Sequence, residues 1–139
     1  MEARAEREHA DELSGPQATV AAHLVHQDGD GREVFKHAIV KLPRTVETVC
    51  RRAGVSLSDV DWFVAHQANQ RINEAVCTRL GVPIEKMPSN IDRLGNTSGA
   101  TIPILMDEMR RDGRLKPGQL VCLLALGAGF HWGSMLLRA

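Results

Sequence analysis

The chain has 139 residues, 43% of them hydrophobic and 24% charged, which is enough for one domain with a buried core. Seventeen Lys and Arg residues balance seventeen Asp and Glu residues, which argues against a nucleic-acid binder that works through excess positive charge. No apolar stretch approaches the length of a membrane span, and the charged N-terminus lacks the apolar centre of a signal peptide. The cysteines, Cys50, Cys77 and Cys122, are odd in number and widely spaced, which indicates thiols in a reducing compartment. We therefore expect a soluble cytoplasmic protein with no membrane and no nucleic-acid partner.

The sequence changes character near residue 20. Residues 1–20 are mostly charged residues and alanine without periodic apolar spacing, so we predict a charged lead-in there and one domain over residues 21–139. Residues 19–26 predict a strand, and residues 28–31 predict a turn. Apolar residues then recur at helical spacing from Phe35 to Ala53, and Gly54 is expected to end that helix. Pro43 lies inside it and is expected to bend or break it.

The remaining elements alternate between strands and helices. Residues 61–66 predict a short buried strand that ends at His66, and a helix with Ile72 on its inner face follows. Residues 87–91 predict a weaker strand. The loop at 95–99 opens onto a second helix, and residues 120–126 and 132–137 predict two further strands joined by a glycine-rich turn. This alternation indicates an α/β layered domain. The inward residues of the second helix are Ile102, Leu105, Met106 and Met109.

Two polar segments lie where predicted strands end and loops begin, which is where α/β folds bind ligands. The first is His-Gln-Ala-Asn at 66–69, and the second is Gly-Asn-Thr-Ser at 95–98. A His and an Asn side chain can each donate a hydrogen bond to an oxygen that gains negative charge. Each segment also has a plainer interpretation, since a His at a strand end is often only packed and Thr or Ser often caps a helix.

Other patterns do not predict a metal or nucleotide site. His23 and His26 point to opposite faces of a strand, and the Asp-Gly-Asp-Gly turn lacks the remaining ligands of a calcium loop. The loop at 95–99 lacks the Lys that follows in a phosphate-binding P-loop. We therefore expect no metal ligands in this chain.

Taken together and in order, five motifs resemble the C-terminal half of 3-oxoacyl-[acyl-carrier-protein] synthase III. The family is a group of condensing enzymes that initiate bacterial fatty acid synthesis. The resemblance implies an α/β fold that is the C-terminal half of a thiolase-like fold, layered αβαβα when complete, with a mixed sheet flanked by helices. The motifs are DGREVFKH at 30–37, HQAN at 66–69, DRLGNTS at 92–98, DGRLKPG at 112–118 and GAGFHWG at 127–133.

The resemblance also implies roles for individual residues. By position, His66 and Asn96 correspond to the catalytic pair that holds the malonyl thioester oxygen during decarboxylation. Asn69 resembles the residue that contacts the pantetheine arm. Arg71 resembles part of the surface that receives acyl carrier protein, although an ordinary solvated helix residue is an equal alternative. The backbone N–H of Ala128 lies where the family completes an oxyanion hole.

The chain departs from the family pattern at several places. Leu126 stands where the family usually has Phe beside the active site, which changes the expected shape of the malonyl pocket. The family's nucleophilic Cys precedes the matched region, and none of the three cysteines aligns with it. Cys77 and Cys122 are interpreted as core thiols instead.

The function that the resemblance implies is decarboxylative Claisen condensation of an acyl-thioester with malonyl-carrier protein, in fatty acid or polyketide initiation. Coenzyme A and phosphopantetheine would be carried by the substrates, and no cofactor is expected. Acyl carrier protein and acyl-CoA are the expected partners, with a homodimer or a Cys-bearing N-terminal half completing the enzyme. The alternatives are one subunit of a split enzyme and a non-catalytic remnant that binds thioesters or carrier protein.

Overall fold

The computed structural model describes residues 22–26, 31–127 and 130–139. Within these ranges there are four strands and four α-helices, and the predicted α/β character is confirmed. Three short 3-10 turns lie at Leu57–Asp59, Ile84–Lys86 and Ser98–Ala100. The strands and helices are β1 (Ala22–His26), α1 (Gly31–Arg52), β2 (Trp62–Ala65), α2 (Gln70–Leu80), α3 (Ile91–Leu94), α4 (Thr101–Arg111), β3 (Leu120–Gly127) and β4 (His131–Arg138).

The strands form one mixed sheet in the order β1-β4-β3-β2. β2 runs parallel to β3, whereas β4 is antiparallel to both β3 and β1. Phe63 pairs with Cys122 across the parallel ladder, and Leu124 pairs with Ser134 across the antiparallel one. Because side chains alternate along a strand, this register assigns every core residue of the sheet to one of two faces.

α1 and α2 cover one face of the sheet. Val46 and Val49 of α1 and Val76 of α2 are almost fully buried, and they belong to one hydrophobic cluster with Phe63 and Leu136 of the sheet. Gly54 and Gly81 follow the two helices with positive φ angles of 68° and 65°, a conformation that glycine adopts without strain. This cluster holds most of the core.

α4 packs on the opposite face. Leu105 and Met109 are completely buried and form a second cluster with Val64 of β2 and Val121 of β3. The sheet therefore lies between two helical layers, one built from α1 and α2 and the other from α4. Within the ranges given above, no helix is both long and apolar enough to cross a membrane.

α1 continues through Pro43, so this residue does not break the helix, and the bend that was the other expectation stays a prediction. Proline removes one backbone hydrogen bond, but here the turn around it is held by tertiary packing. Leu42 and Val46 on either side are buried in the core, and the Thr45 hydroxyl donates to the Leu42 carbonyl at 2.9 Å. Packing of the apolar face outweighs the local cost of proline.

The predicted strand over residues 87–91 is also wrong. The chain forms a 3-10 turn that ends at Lys86, passes through a stretch without regular secondary structure, and enters α3 at Ile91. The backbone N–H of Asn90 donates to the side chain of Gln67 at 3.4 Å. Its hydrogen-bond acceptor is therefore a side chain and not the backbone of a neighbouring strand. The predicted lead-in at residues 1–20 and residues 28–30 of the predicted turn at 28–31 lie outside the described residues, whereas Gly31 begins α1. The proposed domain boundary stays a prediction.

Candidate active site

His66 directly follows β2, at the edge of the sheet where β2 and β3 end together. Its backbone N–H donates to the Leu124 carbonyl at 2.8 Å, which extends the parallel ladder by one residue. The Asn73 amide reaches the His66 carbonyl at 3.5 Å. The side chain is half-buried, and this burial lowers the pKa of His66 below its usual value near 6.5. Burial therefore favours the neutral imidazole.

Thr101 contacts the His66 ring. Its Oγ1 lies 2.6 Å from His66 Nδ1, and Thr101 is 2% exposed at the first position of α4. The sequence interpretation did not include this residue. A signal was present, because Thr101 precedes Leu105 and Met109 at four-residue intervals and therefore lies on the buried face of the same helix.

Asn96 lies in the loop between α3 and the 3-10 turn at Ser98–Ala100. Its side chain is exposed, and its Oδ1 accepts a hydrogen bond from the Ser98 N–H at 2.8 Å. This Asx-type turn uses the amide oxygen and leaves the Nδ2 group as the donor that can face a ligand. Among the described residues, no hydrogen bond joins Asn96 to His66 directly. The connection between them runs along the backbone, because Thr101, which contacts the His66 ring, lies five residues after Asn96.

Asn69 and Arg71 lie at the start of α2. The Oδ1 atom of Asn69 accepts from the Arg71 backbone N–H at 3.0 Å, so Asn69 is the N-cap of this helix. Both side chains are exposed. This position explains why an Asn is favoured at residue 69, whereas the pantetheine and carrier-protein roles stay predictions.

The sequence analysis also did not identify Gln67 as part of the site. It is completely buried, and its Nε2 donates to the Ala65 carbonyl at 2.8 Å. Its Oε1 accepts from the Ser89 hydroxyl at 2.7 Å and from the Asn90 N–H at 3.4 Å. Gln67 thereby ties the end of β2 to the segment that leads into α3.

Glu108 connects α3 to α4. Its carboxylate accepts from the Asn90 amide at 3.0 Å and from the Arg93 guanidinium at 3.0 and 3.3 Å. The hydrogen bonds from Arg93 and then from Asn90 lower the pKa of Glu108. Because α3 ends at Leu94, this network fixes the helix immediately before Asn96.

An open apolar groove of about 430 Å³ lies beside the site, along β3 and β4. Ile102 of α4 and Met135 of β4 line it, and Leu126 borders it at the end of β3 while packing against the cluster under α1 and α2. Ile102 follows Thr101 in sequence, which places the groove next to the first turn of α4. His66 and Asn96 are not among the residues that line it. Ala128, the predicted oxyanion-hole residue, lies outside the described residues.

The three cysteines are buried and unpaired thiols. Burial raises the pKa of Cys77 to about 11 and also raises those of Cys50 and Cys122. A buried thiol with a raised pKa is a poor nucleophile. This agrees with the interpretation of Cys77 and Cys122 as core residues. In the described parts of the chain, no three His, Cys, Asp or Glu side chains are grouped as metal ligands.

Comparisons with known proteins agree with this architecture. The family model for the C-terminal domain of 3-oxoacyl-[acyl-carrier-protein] synthase III matches residues 50–139. The β-ketoacyl-[acyl-carrier-protein] synthase III of Sinorhizobium medicae is 44% identical over 97% of this chain and 42% of its own length. The corresponding protein of Erythrobacter litoralis is 52% identical over 78% of this chain and 34% of its own length.

Solved structures lead to the same family. The crystal structure of 3-oxoacyl-[acyl-carrier-protein] synthase III from Aquifex aeolicus superposes with a TM-score of 0.81 and 34% identity. The superposition covers 85% of this chain and 43% of the Aquifex aeolicus chain. The predicted C-terminal half of a thiolase-like fold is therefore confirmed. This chain spans less than half the length of these relatives. The chain belongs to the 3-oxoacyl-[acyl-carrier-protein] synthase III family and corresponds to its C-terminal part.

Proposed function

We propose that this chain is the C-terminal catalytic part of a β-ketoacyl-[acyl-carrier-protein] synthase III-type acyltransferase that initiates fatty acid or polyketide synthesis. The observation that carries the proposal is the position of His66. It is a half-buried imidazole at the end of β2, with Nδ1 bound by Thr101, and its burial favours the neutral form. In a chain of this family, such a ring can donate from Nε2 to an oxygen that gains negative charge.

The proposed reaction is a decarboxylative condensation. The malonyl thioester loses CO2, and the electron pair of the broken C–C bond forms an enolate whose oxygen accepts hydrogen bonds from His66 and Asn96. The enolate carbon then attacks the carbonyl of an acyl group carried on a Cys thiol. A new C–C bond forms, the C–S bond breaks, and the thiolate leaves. Two fixed donors on the enolate oxygen lower the barrier of the first step.

The acyl-carrying Cys is proposed to come from another half of the enzyme. The pKa values of Cys50, Cys77 and Cys122 are raised by burial, which makes them unsuitable as nucleophiles. A Cys-bearing half, in the same enzyme or in a separate subunit, supplies the missing group. The apolar groove along β3 and β4 supports such an association, because exposed apolar surface marks interaction sites.

The remaining site residues have binding roles in this proposal. Asn69 contacts the pantetheine arm, and Arg71 belongs to the surface that docks acyl carrier protein, consistent with the exposure of both side chains. Leu126 borders the malonyl pocket at the end of β3, and the Ala128 N–H completes the oxyanion hole. Acyl-CoA and malonyl-carrier protein bring their own coenzyme A and phosphopantetheine, so no other cofactor or metal is required.

The test is the release of CO2 from malonyl-carrier protein by this chain assembled with a Cys-bearing half. We expect His66→Ala and Asn96→Ala each to lower the rate by ~10²–10³-fold, as for loss of one oxyanion donor. Thr78→Val is the control, because Thr78 is exposed on α2 and its hydroxyl donates to the Glu74 carbonyl at 3.0 Å. If neither site substitution changes CO2 release, the catalytic role is wrong, and the alternative of a non-catalytic binding remnant takes its place.

A further inference from the structure

The contact between Thr101 and His66 joins two elements that are distant in sequence. Thr101 Oγ1 and His66 Nδ1 lie 2.6 Å apart and are separated by 35 residues along the chain. A hydroxyl and an imidazole nitrogen can share one proton in two ways. Either the hydroxyl donates to Nδ1 and the ring proton lies on Nε2, or Nδ1–H donates to the hydroxyl.

The surroundings of Thr101 select the first arrangement. Thr101 is 2% exposed, and in the described part of the chain the only partner of its hydroxyl is His66 Nδ1. If Nδ1 carried the proton, the hydroxyl proton would be buried without an acceptor, which is unfavourable.

Two other helical threonines behave differently, which indicates that the Thr101 contact is specific. The hydroxyl of Thr45 donates to the Leu42 carbonyl at 2.9 Å, and that of Thr78 donates to the Glu74 carbonyl at 3.0 Å. These are the common bonds of a helical threonine to the preceding turn. Thr101 lies at the first position of α4, and its hydroxyl contacts the imidazole instead.

We propose that Thr101 is a positioning residue that donates its hydroxyl proton to Nδ1 of His66 and thereby holds the ring in the tautomer that carries its proton on Nε2. Only this tautomer can donate from Nε2 to a substrate oxygen. The bond also fixes the rotation of the ring at the end of β2, as partners of functional histidines do in other sites. Its consequence for CO2 release rests on the proposed function.

The test is the tautomer of His66, read by ¹⁵N NMR on the whole chain labelled at histidine. His66→Gln identifies the resonances of this ring among those of the six histidines. At neutral pH we expect Nδ1 to have the chemical shift of an unprotonated, hydrogen-bonded nitrogen and Nε2 to have that of an N–H. A wild-type ring with the proton on Nδ1 would overturn the proposal.

Substitutions provide a second, independent readout. Thr101→Val removes the hydroxyl at nearly constant shape, and we expect the Nδ1 signal to move to the shift of a nitrogen without a hydrogen bond. Thr101→Ser should restore the wild-type shift, and Thr78→Val should leave it unchanged. Identical His66 spectra for Thr101→Val and wild type would contradict the proposal. The wild-type measurement decides the question even where Thr101→Val fails to fold.

The assembled enzyme separates this proposal from the proposed function. We expect Thr101→Val to lower kcat for CO2 release about 10-fold with little change in KM, and Thr101→Ser to recover most of the rate. A Thr101→Val variant with altered NMR shifts but an unchanged kcat would leave the positioning role supported. It would contradict the catalytic role of His66 in the proposed function.

Discussion

The two faces of the sheet differ in how completely helices cover them. The face under α1 and α2 is closed, and its residues Phe63, Cys122 and Leu136 are at most 1% exposed. The opposite face has α4 over β2 and the first part of β3, and beyond it the groove lies open along β3 and β4. Closure of one face supplies stability, whereas the groove leaves apolar surface for a partner or ligand beside His66.

Neighbouring residues on β4 provide the sharpest test of this difference. Leu136 is 1% exposed in the closed core, whereas Met135 points the other way and lines the groove. We expect Leu136→Ala to lower the free energy of unfolding by about 2–5 kcal/mol, because it leaves a cavity in a packed core. Met135→Ala should cost about 1 kcal/mol or less. Urea denaturation of both variants checks the comparison, and equal losses would show that the groove is as well packed as the core.

The edge that carries the site depends on a buried amide. Gln67 bonds to Ala65, Ser89 and Asn90, so Gln67→Leu leaves several buried polar groups without partners. We expect a loss of about 1–3 kcal/mol in the free energy of unfolding. The exposed hydrogen bond that the Gln70 side chain donates to Glu74 offers a control. We expect Glu74→Ala to change the free energy of unfolding by less than about 0.5 kcal/mol. Denaturant titration would contradict this expectation if Gln67→Leu were as stable as wild type.

The pH dependence of stability gives the smallest effect. Burial lowers the pKa of His66 in the folded protein below 6.5, so the unfolded chain binds this proton at a higher pH. The stability contributed by the neutral ring is therefore fully present above pH 6.5 and declines as the pH falls from 6.5 toward the folded pKa. We expect His66→Gln to lose less stability than wild type over this interval. Parallel pH profiles for the two proteins would contradict the lowered pKa.

Much of the fold follows from apolar periodicity. The stripes that predict α1, α2 and α4 and the apolar runs that predict β2, β3 and β4 correspond to elements in the structure, because each buries one face or stripe in a single core. Residues 87–91 misled the prediction, since Met87 and Ile91 are apolar, whereas Ser89 and Asn90 between them bond to Gln67, more than 20 residues away. The local pattern of apolar and polar residues gives no information about a side-chain hydrogen bond between segments so far apart in sequence.

The site was only partly predictable for the same reason. His66 and Asn96 stand out because polar residues at strand ends and in glycine-rich loops are easy to find in a sequence. The contact of Thr101 with His66 and the link of Glu108 to α3 join segments 35 and 15–18 residues apart. The tertiary arrangement of β2, α3 and α4 creates these contacts. The support of the site therefore becomes visible only in three dimensions.

The most direct test of the central claim is a double-mutant cycle on CO2 release from malonyl-carrier protein by the assembled enzyme. If His66 and Asn96 donate to the same enolate oxygen, the double variant should lose less activity than the product of the two single losses. That result would place both residues at one reacting atom. Strictly multiplicative losses would contradict a shared oxygen, and unchanged rates in all three variants would contradict any catalytic role for the pair.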